Sequence, residues 1–404
     1  MTILKDSVIY LIGELVSKGL PFLLLPYLTR MLGADGFGDL SLAQASIAFI
    51  LIFVGLNLDG AITRYYFRYG YRSTSLIFIS GIFYSLIVTL LGVTISLYFN
   101  QYVIATCFTC AFFQNLVSVQ LTYRQIQKKV MPYIYIQLIT SLTAISLTVL
   151  ILSFFVSSYE GRIYALTLSF ICTAIFAFWF VPYDFKFNNK YLIQQLKLGF
   201  MFFAGFGVPL IFHNVSLFFK GQLDRFIVYN SFTSSELGIY ATSFQLASLL
   251  AVLLLALNKA TLPYYFEALK NKKLTSLKIK KIIYCSLLFV PIPSLLALII
   301  PEYLYELILG SGFGSVKIYN VIFLLGISMT LPYFVVVNYL FYIGKTKTIS
   351  VCSIISALLH VVLLLTLGAI ELRYTSLCLF ITNTFTFIFL YLYMIKEKSF
   401  LELI

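Results

Sequence analysis

The feature that most constrains this chain is a succession of apolar segments, most about twenty residues or longer, that fills nearly its whole length. A helix of about 20 residues crosses the ~30 Å hydrocarbon core of a bilayer. Of the 404 residues, 61% are hydrophobic and 11% are charged, whereas soluble domains average about a quarter charged residues. The composition excludes a soluble globular domain and a disordered chain, and it predicts an all-α polytopic membrane protein.

Polar residues between the apolar runs predict twelve transmembrane helices. Helices are favoured over strands because membrane strands are about ten residues of alternating polarity, and no such alternation is visible. The predicted spans cover residues 8–30, 40–62, 74–98, 102–123, 131–156, 163–182, 198–220, 238–258, 282–301, 317–342, 349–368 and 374–395.

Lys and Arg are distributed unevenly between the two sides of the membrane. If the N-terminus lies in the cytoplasm, 21 of the 28 Lys and Arg residues fall in cytoplasmic segments. Cytoplasmic loops of membrane proteins carry such an excess. Both termini are therefore predicted to be cytoplasmic, and the net charge of +13 is explained without a nucleic-acid partner.

Short matches at a constant offset predict an internal repeat. Tyr65-Tyr66-Phe67 recurs as Tyr264-Tyr265-Phe266 at an offset of 199, and Phe37-Gly38 corresponds to Leu237-Gly238 at an offset of 200. Two six-helix bundles that both start inside form a parallel repeat, with a substrate path between them. The predicted domains are an N-terminal six-helix bundle over 1–182, a cytoplasmic linker over 183–197 and a C-terminal six-helix bundle over 198–404.

Charged residues within the spans are candidate functional residues. A charge at the bilayer centre costs at least ~2.5–3.5 kcal/mol, so such a residue faces protein or water. Glu14 and Lys18 lie four residues apart on one face of the first span, with Lys18 near the midplane. They either form an ion pair that neutralises itself or take part in transport, and the sequence leaves both interpretations open.

Further charges lie at the ends of spans. Arg64 follows Asp59 at the inner end of the second span, and Arg30 closes the first span on the outer side. Snorkelling to lipid headgroups is the alternative interpretation for cations at span ends. The outer end of the seventh span carries Lys220, Asp224 and Arg225.

Uncharged polar residues are scattered through the spans. They fit interhelical hydrogen bonds and a hydrated lumen equally well. For the two histidines, His213 and His360, a buried neutral state is favoured over a proton relay. The six cysteines have no His cluster or second pair to complete a metal site, so no metal or other cofactor is expected. The scattered residues are Gln44, Asn57, Gln114, Asn115, Gln120, Gln137, Gln245 and Asn338.

Three short motifs lie in the first span, in mid-chain and in the late part of the chain. They are Pro26–Gly33 followed by Phe37-Gly38, then Gln222–Arg225 followed by Leu237–Tyr240, and finally Phe341–Lys347. Together they resemble signatures of the polysaccharide-flippase (Wzx, O-antigen) family. That family belongs to a superfamily with the multidrug-and-toxin exporters and the flippase for the peptidoglycan precursor. Arg30 matches an Arg that, in the related motif of the latter, points into a central cavity.

The resemblance implies translocation of an undecaprenyl-pyrophosphate-linked oligosaccharide, an O-antigen or capsule repeat unit, across the bacterial inner membrane by alternating access. The implied partners are this lipid-linked glycan, membrane lipids and the polysaccharide polymerase machinery. A pyrophosphate loses its hydration in hydrocarbon, and a cationic, hydrated path would replace it. The candidate anion contacts are Lys18, Arg30, Arg64, Lys220 and Arg225, while Glu14, Asp59 and Asp224 would tune their charge or carry a coupling cation.

Two other functions compete with a flippase. A multidrug exporter of the same superfamily expels organic cations, so its cavity should favour carboxylates, whereas five cations stand against three acids here. A membrane glycan polymerase or ligase needs a sizeable outer loop with catalytic groups, and no predicted outer loop exceeds about twenty residues. The sequence therefore predicts a transporter and not an enzyme.

Overall fold

The computed structural model describes residues 19–20, 22–70, 74–179, 192–397 and 400. Within these ranges the regular elements are helices, and no strand is present. Eleven helical segments of the described residues are long and apolar enough to cross a membrane. The predicted all-α multi-pass fold is confirmed.

The helices of the described residues are numbered α1 to α16. In the first half, α1 is Leu25–Gly55, α2 Leu58–Tyr69, α3 Thr74–Tyr98, α4 Tyr102–Ile126, α5 Val130–Phe154, α6 Tyr159–Trp179 and α7 Leu192–Gly221. In the second half, α8 is Leu223–Ser231, α9 Ser234–Lys270, α10 Ser276–Phe289, α11 Pro291–Ile299, α12 Glu302–Leu309, α13 Val316–Ser328, α14 Thr330–Tyr342, α15 Thr346–Leu363 and α16 Leu372–Lys396. The π-helical segment Leu364–Gly368 extends α15.

The predicted spans from 40–62 onward each coincide with one of the eleven apolar helical segments. The first predicted span, 8–30, lies largely outside the described residues. The largest difference in length is at the segment Leu25–Tyr69, whose 45 residues extend well beyond the predicted 40–62 on both sides. Helix α9, with 37 residues, also extends well beyond the predicted 238–258. Its start is fixed by a capping box, in which Thr233 and Glu236 satisfy each other's backbone N–H groups.

The described helices pack into two compact units. The first unit contains the described residues up to Leu24 together with Asp39–Phe218, and the second contains Leu25–Gly38 and the described residues from Phe219 onward. In the first unit α6 packs on α4 and α5, and in the second α13 packs on α9 and α16. The predicted linker, 183–197, lies largely outside the described residues, and the bundles at 1–182 and 198–404 stay a prediction.

A break in the helix separates α1 from α2 in the first unit. Leu56 and Asn57 adopt left-handed backbone conformations, with φ angles of 41° and 56°. Such conformations cost of order 1–3 kcal/mol for residues other than glycine, so the surrounding contacts must stabilise them. Leu56 is buried, and a Cβ atom on Gly207 of α7 would collide with the Leu56 carbonyl oxygen. Gly207 therefore allows the broken segment to pack closely against α7.

Side chains of α3 satisfy the carbonyl groups that the break releases. The Ser85 hydroxyl donates to the Val54 carbonyl oxygen over 2.7 Å, and the Tyr84 hydroxyl donates to that of Phe53 over 3.1 Å. An unsatisfied carbonyl in hydrocarbon costs several kcal/mol, so irregular backbone at membrane depth is buried in protein or lines a cavity. The break is thus supported on one side by α3.

Two glycines at equivalent positions of the repeat meet in the second unit. A Cβ atom on Gly38 would collide with the carbonyl oxygen of Ser234, and a Cβ atom on Gly238 would collide with that of Ala34. Such Cβ atoms would also lie 3.0 and 3.1 Å from the backbone nitrogen of the opposite glycine. The two sets of contacts are related by the 200-residue offset. Small residues at both positions let the two backbones cross closely.

We expect Gly38→Ala to lower the thermal unfolding temperature of the purified protein in detergent by a few degrees. The added methyl group meets a backbone oxygen that cannot rotate away, and overpacking of this kind costs about 1–3 kcal/mol. Gly205→Ala in α7 is the control, because a Cβ atom there meets nothing within 4 Å and alanine favours the helix. Equal unfolding temperatures for the two variants would contradict the close crossing.

Candidate functional site

The predicted site residues are divided between the two units of the described structure. Asp59 and Arg64 belong to the first unit, and Arg30, Lys220, Asp224 and Arg225 belong to the second. Glu14 and Lys18 lie outside the described residues, so their ion pair near the membrane midplane stays a prediction.

Asp224 and Arg225 are buried together in the second unit. Arg225 Nη1 lies 3.2 Å from Asp224 Oδ1, and the Tyr240 hydroxyl donates to Asp224 Oδ2 over 2.6 Å. The Arg225 guanidinium also lies 5.2 Å from the centre of the Phe244 ring. The two parts of the mid-chain motif, Gln222–Arg225 and Leu237–Tyr240, therefore connect α8 to α9. In this conformation both charges of the pair are satisfied by partners within the second unit.

Arg30 is exposed, but its guanidinium is held by the protein. It donates a hydrogen bond to the carbonyl oxygen of Leu307, near the C-terminal end of α12. The last carbonyls of a helix have no helical partner and carry partial negative charge, so a cation is favoured there. Gly310, with a φ angle of 109°, keeps this place open, because a Cβ atom there would lie 3.1 Å from Arg30 Cγ.

Lys220 contacts a chain of hydroxyl groups in the second unit. Its Nζ donates to Ser356 Oγ over 3.2 Å, and Ser356 shares a 2.7 Å hydrogen bond with Thr386. Close by in sequence, buried His360 shares a 3.1 Å hydrogen bond with Thr382. No carboxylate of the described residues forms an ion pair with Lys220, so neutral oxygens solvate its ammonium group.

The late motif forms the turn between α14 and α15. Gly344 has a φ angle of 76°, which favours glycine there. Lys345 Nζ lies 2.7 Å from Glu397 Oε1, and the hydrogen bond to this carboxylate raises the pKa of Lys345. The motif residues therefore join this turn to the end of α16.

Asp59 and Arg64 lie on α2, just after the helix break. Asp59 is half-buried, and its Oδ1 accepts a hydrogen bond from the Gly60 backbone N–H over 2.8 Å. Arg64 is exposed, with its guanidinium 5.3 Å from the centre of the Phe206 ring. No acidic side chain among the described residues forms an ion pair with Arg64.

Three cavities adjoin one another in the first unit, with volumes of about 190, 250 and 290 Å³. Ala48 and Leu51 line both the first and the third, and Gln114 and Phe170 line both the second and the third. Ser118 lines both the first and the second. We call these three adjoining cavities the polar groove.

The polar groove is lined by nine uncharged polar side chains set among apolar ones, and Asp59 is the single charged residue among the lining residues of the described structure. Helices α1, α4, α5 and α7 and the break before α2 all contribute polar groups. The carboxamides are Gln44, Asn57, Gln114, Asn115, Gln137 and Asn214, and the hydroxyls are Ser118, Thr140 and Ser141.

Some of these carboxamides are fixed by the protein, and others are open to the groove. Asn115 donates to Ser85 Oγ and Gln137 donates to the Tyr133 hydroxyl, each over 3.1 Å. The side chains of Gln44 and Gln114 make no hydrogen bond within the described part of the chain. They can therefore donate to and accept from a ligand.

The structure supports both interpretations of the scattered polar residues, since Asn115 lines the polar groove and also donates an interhelical hydrogen bond to Ser85. Five of the eight line the polar groove, and they are Gln44, Asn57, Gln114, Asn115 and Gln137. Asn338 instead donates to Asn258 over 2.8 Å, which is an interhelical hydrogen bond. Sequence reasoning did not single out Ser118, Thr140, Ser141 or Phe170. Their helical spacing was the available signal, since residues three or four apart share a face, as Gln114 and Ser118 do.

A polar groove within apolar helices is typical of a membrane protein that holds a polar solute. Comparison with known proteins then shows the family of this chain. Residues 3–269 match the model of the family described as "Polysaccharide biosynthesis protein". The chain belongs to the polysaccharide biosynthesis protein family, which confirms the expectation from the three motifs.

Two relatives from Haemophilus influenzae are similar over nearly the full length. An "Uncharacterized membrane protein" is 43% identical over 362 residues, which is 89% of each chain. The "Lsg locus putative protein 1" is 41% identical over 378 residues, which is 93% of each chain. This likeness covers both units of the structure.

Solved structures share the fold at low identity. A lipid II flippase MurJ in an inward closed conformation aligns with a TM-score of 0.72 at 15% identity, over 98% of this chain and 90% of the other. An inward-facing multidrug resistance MATE family transporter of the MOP superfamily aligns with a TM-score of 0.59 at 15% identity, over 92% of this chain and 93% of the other. The chain therefore shares the fold of these two proteins.

The contacts of Arg225 predict that its replacement destabilises the protein, whereas those of Arg64 predict no change in stability. Arg225→Met should lower the thermal unfolding temperature clearly, because Asp224 stays buried without its cation, and breaking a buried ion pair costs about 3–5 kcal/mol. Arg64→Gln should leave that temperature unchanged, because Arg64 is exposed. Thermal unfolding of the purified variants in one detergent measures both. A wild-type value for Arg225→Met would mean that the Asp224–Arg225 pair does not stabilise the fold.

Proposed function

We propose that this protein is a flippase that carries an undecaprenyl-pyrophosphate-linked oligosaccharide across the bacterial inner membrane, with both termini in the cytoplasm. Membership of the polysaccharide biosynthesis protein family and a transporter fold support transport over catalysis. The observation that carries the proposal is the polar groove, which is rich in carboxamides although it lies among membrane-crossing helices.

The chemistry of the groove suits a glycan. A sugar ring presents several hydroxyl groups that both donate and accept hydrogen bonds, and a carboxamide does the same. Polar groups that face hydrocarbon without partners are costly, so the groove requires water or a polar ligand. The apolar polyprenyl tail of the same substrate can remain in the bilayer.

The pyrophosphate needs cations, and Arg64 is the strongest described candidate in the first unit. It is exposed, has no acidic partner among the described residues and lies five positions after Asp59, which lines the groove. Arg30 and Lys220 already bond to protein oxygens, and Arg225 is buried beside Asp224. We propose that these three, together with Lys18, contact the anion only where transport releases them from those partners.

We further propose that transport occurs by alternating access. Glu14, Asp59 and Asp224 would tune the charge state of the cations or carry a coupling ion. The rival function is a multidrug exporter of the same superfamily, which the MATE-like fold accommodates. A site for organic cations favours carboxylates. The described lining of the groove has six carboxamides against one carboxylate, and this balance suits a glycan better than an organic cation.

Deleting the gene should cause undecaprenyl-linked repeat units to accumulate on the inner leaflet and should deplete surface polysaccharide. The wild-type gene should restore both, because the lipid-linked units are then moved outward. Extraction and mass spectrometry of the lipids, with accessibility of the glycan in inside-out vesicles, measure the effect. Unchanged lipid pools combined with new sensitivity to cationic drugs would favour the exporter.

Complementation with Arg64→Gln should restore surface polysaccharide at most partly, although the variant reaches the membrane at the wild-type level. Arg68→Gln is the matched control, because Arg68 also stacks near an aromatic ring, at 5.3 Å from the centre of Tyr69. Arg68 lies about one helical turn, or about 6 Å, beyond Arg64 along α2 and further from the groove, so the Arg68→Gln variant should behave as wild type. Arg30→Gln should also reduce surface polysaccharide. Wild-type levels in both the Arg64 and Arg30 variants would contradict a cationic path.

A further inference from the structure

We propose that the polar groove selects uncharged sugars, hexoses or N-acetylhexosamines, in the carried glycan and disfavours acidic sugars. The inference rests on the proposed function, because it specifies which part of the lipid-linked glycan occupies the groove. Three properties of the groove carry it, namely its combined volume, its hydrogen-bonding groups and its charge.

The groove is large enough for sugar residues when its three cavities are taken as one space. Ligand pockets measure about 300–1,000 Å³, and the separate cavities of about 190, 250 and 290 Å³ reach that range together. Gln114 and Phe170 lie where two cavities meet, so a ligand that extends through the groove contacts both. An aromatic ring at that point can pack against the apolar face of a sugar.

The hydrogen-bonding groups of the groove are partly held in position. The carboxamide of Asn115 is oriented by its bond to Ser85, and its Oδ1 would lie 3.0 Å from a Cβ atom on Gly55, where glycine leaves room for it. The helix break places Asn57 and Asp59 in the first cavity. A fixed set of donors and acceptors binds a matching ligand with less loss of conformational freedom.

The charge of the groove argues against acidic sugars. The second and third cavities have no charged lining residue among those described, and the first has only the Asp59 carboxylate. A uronate or similar sugar would lose hydration without gaining a cationic partner, and Asp59 would repel it. Arg64 does not line these cavities, and its guanidinium lies against Phe206. The pyrophosphate belongs near Arg64, and the uncharged sugars belong in the groove.

Binding of three synthetic lipids to the purified full-length protein in nanodiscs tests the inference. The probes are undecaprenyl pyrophosphate alone, the same lipid with a disaccharide of N-acetylhexosamines, and the same lipid with a disaccharide that ends in a uronic acid. The neutral glycolipid should bind about tenfold more tightly than the bare lipid, since a few net hydrogen bonds suffice for that factor. The acidic glycolipid should gain nothing over the bare lipid.

Three variants assign these differences to the groove. Gln114→Leu should abolish the gain for the neutral glycolipid and leave binding of the bare lipid unchanged. Gln245→Leu is the control, because Gln245 is also a carboxamide within a span but lies in the second unit, outside the groove. Asp59→Asn should improve binding of the acidic glycolipid, since it removes the repelling charge.

The outcomes separate this inference from the proposed function. Equal binding of all three lipids, or tightest binding of the acidic one, would overturn the selection of uncharged sugars and leave the flippase proposal standing. An identical loss in the Gln114 and Gln245 variants would also overturn it. Failure of every lipid to bind would overturn the proposed function and this inference with it.

Discussion

Hydrocarbon offers no hydrogen bonds, and this one constraint explains the main features of the structure. Every backbone N–H and C=O group within the membrane must find a partner in the protein, so the described regular elements are all helices. Where the backbone leaves the helix at Leu56 and Asn57, the released carbonyl groups are met by Ser85 and Tyr84 of α3. The break is stable because a neighbouring helix supplies the missing donors.

The same constraint makes the polar groove informative. In a soluble protein, six carboxamides around a cleft would be ordinary, because water satisfies them. Among membrane-crossing helices such a cleft is retained only if something polar occupies it, and Gln44 and Gln114 have no described hydrogen bond within the protein. The helix break contributes to this site directly, since it places Asn57 and Asp59 beside the cavity that Asn115 also lines.

Local patterns in the sequence predicted much of the fold and less of the site. Apolar run length placed the eleven described spans, and the 200-residue offset paired Gly38 with Gly238, which the structure brings into contact. The groove depends on contacts between helices far apart in sequence, so single positions such as Gln114 and Gln137 gave no sign that they would meet. Arg225 shows the converse, since a charge at the end of a predicted span resembles a ligand contact until its buried partners Asp224 and Tyr240 are known.

The distribution of charge suggests how one protein accommodates a ligand whose two ends differ in chemistry. A diphosphate requires a cation, whereas an uncharged glycan requires many hydrogen-bond donors and acceptors. Cations placed along the path of the glycan would hold the diphosphate at intermediate positions. In the first unit the change between the two environments falls within α2, where Asp59 still lines the groove and Arg64, just over one turn later, does not. Under the proposed function, the Asp59 carboxylate at that boundary would repel the anionic headgroup from the glycan part of the site and would thereby favour one orientation of the ligand.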